Sequence, residues 1–217
     1  EREMKNSGIE WIGEIPKEWG RTKIKMIALF FNGDRTSRYP QPSDFVDAGV
    51  AFLTSRNIDS DEVDLSETKY ITDDKYKSLS GAKIQIDDII FCLRGSVGKC
   101  AINRTLSCGT VASSLATIRP KDIYPKYLLY FLLSNIASTQ TTIFMNGTCA
   151  ANLSAENVGN YYITLPSSAE QEEIADYLDT KCAEIDRLIA KKEQLVKELE
   201  SYKKSLIYEV VTGKREV

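Results

Sequence analysis

The chain has 217 residues, of which 42% are hydrophobic, and a formal net charge of −3. This size favours one compact domain with an appendage over two full domains. No apolar run approaches the roughly 20 residues that a membrane-spanning helix needs, and residues 1–10 are too polar for a secretory signal. We therefore expect a cytoplasmic protein without a membrane segment.

Two residue counts limit the chemistry. The sequence contains no histidine, which excludes histidine-based triads, general bases and metal ligands. The five cysteines form no C-x-x-C pair, so we expect reduced thiols and no metal site. Carboxylate pairs, lysine and tyrosine are still available, so an enzyme is disfavoured but stays an alternative.

Up to about Pro166, short apolar runs alternate with turn residues. Residues 24–31 end at an Asn-Gly turn, and residues 50–53 and 89–93 read as buried strands. Residues 111–119 alternate weakly, and residues 126–137 read as a helix behind a proline. The pattern predicts a mixed α/β (α+β) globular domain over residues 1–166.

The character of the sequence changes after Pro166. Residues 168–211 contain neither glycine nor proline, and Ser167 or Ser168 can cap a helix that begins there. At about 1.5 Å per residue, this helix would be roughly 60 Å long. We therefore assign residues 167–217 to a long C-terminal α-helix.

Apolar residues recur along this helix with heptad spacing, which is typical of a coiled coil. Lysines interrupt the seam only at Lys181 and Lys192. The predicted dimer interface consists of Ile174, Leu178, Ile185, Leu188, Leu195, Leu199, Tyr202 and Leu206. The alternative is packing on the chain's own domain, but a helix this long extends beyond a domain of this size.

The charge is unevenly distributed. Residues 89–121 contain five basic side chains and no acidic one, whereas acids collect in residues 59–74 and in the C-terminal helix. The basic residues of this segment are Arg94, Lys99, Arg104, Arg119 and Lys121. A DNA-binding protein needs one positive face rather than a positive total. Scattered surface charges are the alternative.

The segment Arg94-Gly-Ser-Val-Gly-Lys99 superficially looks like a phosphate-binding loop. It fails that pattern, because position 93 is leucine and Cys100 replaces the required serine or threonine. We therefore predict no nucleotide hydrolysis. Such a turn can still present backbone N–H groups, Ser96 and two cations to a phosphate or a base. An ordinary hairpin turn with incidental charges is the competing interpretation.

Two further polar loops have similar chemistry. Arginine is the commonest reader of guanine and asparagine of adenine, because each makes two in-plane hydrogen bonds. The segment Thr54-Ser-Arg-Asn57 follows a predicted strand and offers one arginine and one asparagine. The segment Arg35-Thr-Ser-Arg38 follows the Asn-Gly turn and offers two arginines. The candidate DNA-binding residues are thus Arg35, Thr36, Arg38, Thr54, Ser55, Arg56, Asn57, Arg94, Ser96 and Lys99.

Segments spread over nearly the whole chain resemble one family, the specificity subunits of bacterial and archaeal type I restriction-modification systems. The matching segments are residues 8–19, Arg94–Lys99, Gly147-Thr148 with Asn152–Ser154, residues 163–179 and Leu206–Lys214. Such subunits usually carry two target-recognition domains, each followed by a conserved helix, and the two helices pack antiparallel. This chain resembles one half, either a natural half-subunit or a fragment. We treat residues 147–154 as mainly structural.

The resemblance implies that residues 1–166 bind one half of a split DNA site and that residues 167–217 are a dimerisation and spacer helix. It also implies two partners, the methylation subunit with S-adenosylmethionine and the restriction subunit with ATP and Mg²⁺. No methyltransferase or nuclease motif occurs in the sequence, so we expect a non-catalytic chain with no cofactor of its own. The alternatives are an adaptor module that never touches DNA and a histidine-free enzyme.

Overall fold

A computed structural model describes residues 2–145 and 153–217 of the chain. Its strands are β1 (Met4–Asn6), β2 (Glu14–Pro16), β3 (Gly20–Lys23), β4 (Ala28–Asn32), β5 (Phe45–Val46), β6 (Val50–Leu53), β7 (Lys69–Ile71), β8 (Ile89–Cys92), β9 (Cys100–Ile102), β10 (Gly109–Val111), β11 (Leu115–Pro120) and β12 (Tyr162–Leu165). Its helices are α1 (Asp73–Ser78), α2 (Pro125–Leu133), α3 (Asn135–Met145), α4 (Ala155–Gly159) and α5 (Ser168–Val211).

Two four-stranded sheets carry the core. The first has the strand order β10-β6-β7-β5 and the second β4-β11-β8-β9. In the first sheet β10 pairs with β6 in parallel, whereas in the second sheet β4 and β8 both pair antiparallel with β11. Two small ribbons, β1-β2 and β12-β3, complete the described strands.

Strand β6 is buried along its whole length because it has an apolar cluster on each face. Val50 and Phe52 belong to one cluster and Leu53 to the other, as expected for side chains that alternate across a strand. Strand β8 is equally buried. Fully buried strands read as continuous apolar runs rather than as an alternation, which explains why both were predictable.

The structure confirms a mixed α/β fold with a long C-terminal helix. It also splits two predicted elements. The helix expected at 126–137 is interrupted at Ser134, whose ψ of 162° is extended, so that α2 and α3 are separate. The strand expected at 111–119 is divided by a turn, because β10 and β11 belong to different sheets.

Helix α5 has 44 residues, which corresponds to about 66 Å. Ser167 caps its start, since its hydroxyl accepts from the backbone N–H of Glu170. At the other end Gly213 has a φ of +68°, and the N–H of Lys214 reaches the carbonyl of Glu209 at 2.8 Å. This is the hydrogen-bond pattern of a Schellman C-cap.

By compactness the chain divides into two units, Glu1–Glu173 and Ile174–Val217. Within the described ranges, no helix combines the length and the apolar character that crossing a membrane would require.

Candidate nucleic-acid interface

The sheet topology brings the three predicted polar loops to one place. Strands β4 and β8 run antiparallel to β11, so their last residues lie beside its first residues. Strand β6 runs parallel to β10, so both end together, with Leu53 opposite Val111. The chain passes from the end of β10 into β11 through a tight turn that the N–H of Leu115 closes onto the carbonyl of Ala112. We call residues 112–115, which include the first residue of β11, the 112–115 turn. The loops after β4, β6 and β8 therefore surround this turn.

Hydrogen bonds to the 112–115 turn confirm this proximity. The N–H of Ala112 donates to the carbonyl of Leu53 at 2.8 Å, and the N–H of Leu93 donates to the carbonyl of Ser114 at 2.9 Å. Gly33 donates to the carbonyl of Leu115 at 3.2 Å. In each bond the partner outside the turn lies immediately before a polar loop or at its start. Three segments that were singled out separately in the sequence thus form one polar surface.

Gly33 is required for this arrangement. A Cβ atom at position 33 would lie 2.2 Å from the carbonyl oxygen of Ala112, which is far inside van der Waals contact. The loop after β4 can therefore approach the turn only with glycine at this position.

In the loop after β4, Asp34 is buried and organises the backbone. Its carboxylate accepts from the N–H and hydroxyl of Thr36, both at 2.7 Å, and from Ser80. Burial opposes ionisation, but these hydrogen bonds outweigh it and hold the pKa of Asp34 well below its usual value. The side chain of Thr36 is therefore engaged in a hydrogen bond within the loop after β4. Arg35 and Arg38 are exposed.

Arg35 donates from Nε to the carbonyl oxygen of Ser113 at 3.3 Å. This bond ties the guanidinium to the 112–115 turn. A guanidinium has five N–H donors, and the other four of Arg35 have no partner in the described part of the chain. Arg35 is thus held beside the 112–115 turn and keeps donors for a ligand.

In the loop after β6, Asn57 was predicted to contact a base, and the structure corrects this prediction. The residue is 1% exposed. Its amide donates to the carbonyl of Asp64 at 2.8 Å and to the hydroxyl of Thr68 at 3.0 Å, while its oxygen accepts from Thr54. With every donor and acceptor used, Asn57 has a structural role instead.

The neighbours of Asn57 are placed differently. Arg56 is exposed, and its only ion pair among the described residues is a 3.8 Å contact with Glu67 on the surface. Thr54 and Ser55 are half-buried. Arg56 is therefore the most accessible of the four candidate residues in this loop, and Thr54 and Ser55 stay candidates.

The loop after β8 contains two glycines in the left-handed region of the backbone. Gly95 and Gly98 have φ values of +74° and +91°, which favour glycine. Arg94 and Ser96 are exposed, and within residues 2–145 and 153–217 neither side chain has a hydrogen bond or ion pair. Lys99 pairs with Asp59 at 2.8 Å, and this hydrogen bond raises the pKa of Lys99.

The basic stretch of residues 89–121 is less positive in the fold than in the sequence. Three of its cations form salt bridges, Arg119 with Asp88, Arg104 with Asp87 and Lys99 with Asp59. Acids from outside the stretch thus neutralise three of its five cations. This pairing reduces the positive charge that the stretch can present to DNA, and the sequence does not reveal the acidic partners.

Sequence reasoning missed Ser113 and Ser114, which form the middle of the 112–115 turn. Both are half-buried and lie between the three predicted loops. In the sequence, residues 111–119 form one weakly alternating stretch, and no turn is predicted within it. The consecutive small polar residues Ser113-Ser114 were the available signal of a turn.

In α5 much of the predicted seam is exposed. Ile185, Leu188, Leu195, Leu199 and Tyr202 each keep between 54% and 57% of their surface accessible. Ile174, Leu178 and Leu206 are half-buried. The apolar seam is therefore largely accessible to solvent in the single chain.

Part of the sequence prediction falls outside the description. Gly147, Thr148 and Asn152 lie beyond the described residues, as does Cys149. Leu153 and Ser154 are described, and Ser154 caps α4. Within residues 2–145 and 153–217 there is no cluster of three or more acidic or cysteine side chains that could hold a metal ion.

Comparison with known proteins gives a consistent family. The StySPI specificity subunit of a type I restriction enzyme from Salmonella potsdam is 23% identical over 206 residues, which are 93% of this chain and 44% of that protein. The chain thus spans less than half of this relative.

Two solved structures share the fold. The first comes from a structural study of assembly and conformational transition of the type I R-M system. It matches with a TM-score of 0.73 and 18% identity, and the match covers 95% of this chain and 48% of the solved chain. The HsdS subunit from Thermoanaerobacter tengcongensis has a TM-score of 0.61 and 18% identity, covering 85% and 41%. Finally, the model of the type I restriction modification DNA specificity domain matches residues 16–200, so this chain belongs to the family of type I restriction-modification DNA specificity domains.

Proposed function

We propose that this chain is the sequence-reading half of a type I specificity subunit and that it binds double-stranded DNA through the loops around the 112–115 turn. The observation that carries the proposal is the convergence of three polar loops on one turn, with Arg35, Arg56 and Arg94 exposed around it. Arginine is the side chain best suited to read guanine and to bind phosphate. The family membership supports a DNA target.

The chain would supply recognition and no catalysis. The methylation subunit would bring S-adenosylmethionine, and the restriction subunit would bring ATP and Mg²⁺. The site would be split into two parts, one for each recognition domain. In this arrangement the chain directs adenine methylation and restriction to the sequence that its loops select.

The first experiment maps the site and then tests one residue. Co-expression with the methylation subunit, followed by mapping of methylated adenines in the host genome, gives the recognised sequence. Binding of a duplex with that sequence is then measured by fluorescence anisotropy for the wild type and for Arg94→Ala. A base contact predicts a loss of about 1–3 kcal/mol in specific binding.

Arg104→Ala is the matched control, because Arg104 is paired with Asp87. Equal affinities for wild type and Arg94→Ala would refute the role of Arg94. Absence of any salt-dependent DNA binding, alone and together with the methylation subunit, would favour the adaptor module instead.

We further propose that α5 pairs with α5 of a second copy as an antiparallel coiled coil. The exposed seam supports pairing. The charges support the antiparallel direction: residues 168–189 carry seven acidic and two basic side chains, whereas residues 190–211 carry five lysines and four acids. Antiparallel pairing places the acidic half of each helix against the more basic half of the other, which is favourable.

The pairing is tested by light scattering of the full chain, whose monomer mass is 24.4 kDa. We expect the mass of a dimer. Leu195→Glu with Leu199→Glu places two carboxylates in the seam and should give monomers. Gln194→Glu with Ser201→Glu adds the same charge on the opposite face of the helix and should leave the dimer intact. A wild-type monomer at micromolar concentration would refute the proposal.

A further inference from the structure

The 112–115 turn has an unusual balance of donors and acceptors. All four of its carbonyl oxygens accept hydrogen bonds, from Leu115 N–H at 3.0 Å, Arg35 Nε at 3.3 Å, Leu93 N–H at 2.9 Å and Gly33 N–H at 3.2 Å. The turn is therefore fixed on several sides by main-chain contacts. Each carbonyl of the turn thus already has one hydrogen-bond partner within the protein.

The donors of the two serines in the middle of this turn are unused in the described part of the chain, whereas the N–H groups of Ala112 and Leu115 are bonded. In the described ranges, the backbone N–H groups of Ser113 and Ser114 make no hydrogen bond, and neither do the two hydroxyls. Both residues are half-buried, so the protein partly covers them while they stay accessible to a ligand. Consecutive backbone N–H groups in a turn form a concave site for an anion.

Two cations flank these donors. Arg35 is tied to the carbonyl of Ser113 and has four further N–H groups without a partner among the described residues. Arg94 directly follows Leu93, which is bonded to the carbonyl of Ser114. The acid in the same loop, Asp34, has both carboxylate oxygens engaged by Thr36 and Ser80. Asp34 keeps its negative charge, but the two arginines together outweigh it, so the local charge balance favours an anion.

We propose that the 112–115 turn binds one phosphate of the DNA backbone through the N–H groups and hydroxyls of Ser113 and Ser114, with Arg35 and Arg94 beside it. The inference rests on the proposed DNA-binding function. Because all three recognition loops are hydrogen-bonded to this turn, holding one phosphate there fixes the register of the loops against the bases. Phosphate contacts commonly set the position from which base contacts specify the sequence.

The test places single neutral methylphosphonates, one position at a time, in the duplex mapped above and measures its affinity for the full chain. For the wild type, one position per half-site should lower the affinity roughly tenfold, since hydrogen bonds to a charged group are lost. The double variant Ser113→Pro with Ser114→Ala removes one N–H and both hydroxyls. It should bind the natural duplex roughly tenfold more weakly and should no longer distinguish the methylphosphonate at that position.

Two further variants keep the test interpretable. Ser113→Ala with Ser114→Ala retains both N–H groups and the turn geometry, so it should show a smaller loss at the same position even where proline disturbs folding. Ser205→Ala removes an exposed hydroxyl from α5 and should behave like the wild type.

The outcomes separate the two proposals. In one outcome the wild type binds the duplex, and the serine variants lose as much affinity as the wild type at every methylphosphonate position. This outcome overturns the phosphate site but leaves the proposed DNA recognition intact. Absence of wild-type binding to any duplex overturns both. Loss of sensitivity at one position only, in the serine variants only, supports the phosphate site.

Discussion

Arg119 donates two hydrogen bonds of 2.8 Å to the buried carboxylate of Asp88, from Nε to Oδ1 and from Nη2 to Oδ2. The same guanidinium donates to the carbonyl of Lys83 and lies 4.8 Å above the ring of Phe31. Arg119→Met leaves the carboxylate of Asp88 buried without its counter-ion. We therefore expect the free energy of unfolding to fall by about 3 kcal/mol, measured by urea denaturation.

The control for this prediction is Arg104→Met. Arg104 pairs with Asp87 at the surface, where both side chains are partly solvated. Such a pair contributes at most about 1 kcal/mol. Equal losses for the two variants would contradict the assignment of Arg119 to the fold. Since Arg119 is engaged within the protein, its replacement should not alter the salt dependence of DNA binding.

Asn57 and Arg56 are neighbours with opposite expected behaviour. Asn57→Ala leaves the N–H of Thr54 and the carbonyl of Asp64 without their partner, so we expect a loss of about 2 kcal/mol in unfolding free energy. Arg56→Ala should change stability by less than about 0.5 kcal/mol. Selection from a randomised duplex library should show relaxed preference at one base pair for Arg56→Ala and at none for Asn57→Ala. The reverse pattern would restore Asn57 as a base contact.

The elements that the sequence predicted well are those whose environment is uniform along their length. Strands β6 and β8 are buried on both faces and are continuous apolar runs. Helix α5 has no glycine or proline within it and is closed by Gly213. Local composition alone therefore determines these three elements.

The candidate site was harder, because its residues depend on contacts between distant segments. The three loops could be identified as polar, yet their meeting at the 112–115 turn follows from strand order, which the sequence does not reveal. Asn57 shows the same difficulty, since an amide that closes a loop and one that reads a base look alike in a sequence. The partners of Arg104 and Arg119 come from residues 87 and 88, outside the stretch counted as basic.

Thr117 offers a prediction of increased stability. It is fully buried in β11, and its hydroxyl has no hydrogen-bond partner within residues 2–145 and 153–217. Thr117→Val replaces this hydroxyl with a methyl group of similar size, so we expect the unfolding free energy to rise by about 1 kcal/mol.

Thr110 is the matched control for this change. It is equally buried, but its hydroxyl donates to the carbonyl of Ala82 at 2.7 Å. Thr110→Val should therefore lose about 1–2 kcal/mol, because the carbonyl of Ala82 is left unsatisfied. A loss for Thr117→Val comparable to that for Thr110→Val would indicate that the hydroxyl of Thr117 is bound by water.

The thiols should differ in reactivity and in their effect on stability at high pH. Burial raises the pKa of the Cys92 thiol to about 11 and that of Cys100 to about 12, from an ordinary value of 9.0. Cys108 is exposed. At pH 8 we expect a maleimide to label Cys108 rapidly, and Cys92 and Cys100 only after unfolding, as followed by peptide mass spectrometry.

The same raised pKa values fix the sign of the pH effect. The unfolded chain releases these protons at about pH 9, before the folded chain does, so their contribution to stability is complete below pH 9 and is lost as pH rises towards 11 and 12. Urea denaturation across pH 8–11 should therefore show a steeper decline for the wild type than for Cys92→Ala with Cys100→Ala. Parallel curves for the two proteins, or fast labelling of Cys100 in the native state, would mean that these thiols are not buried as described.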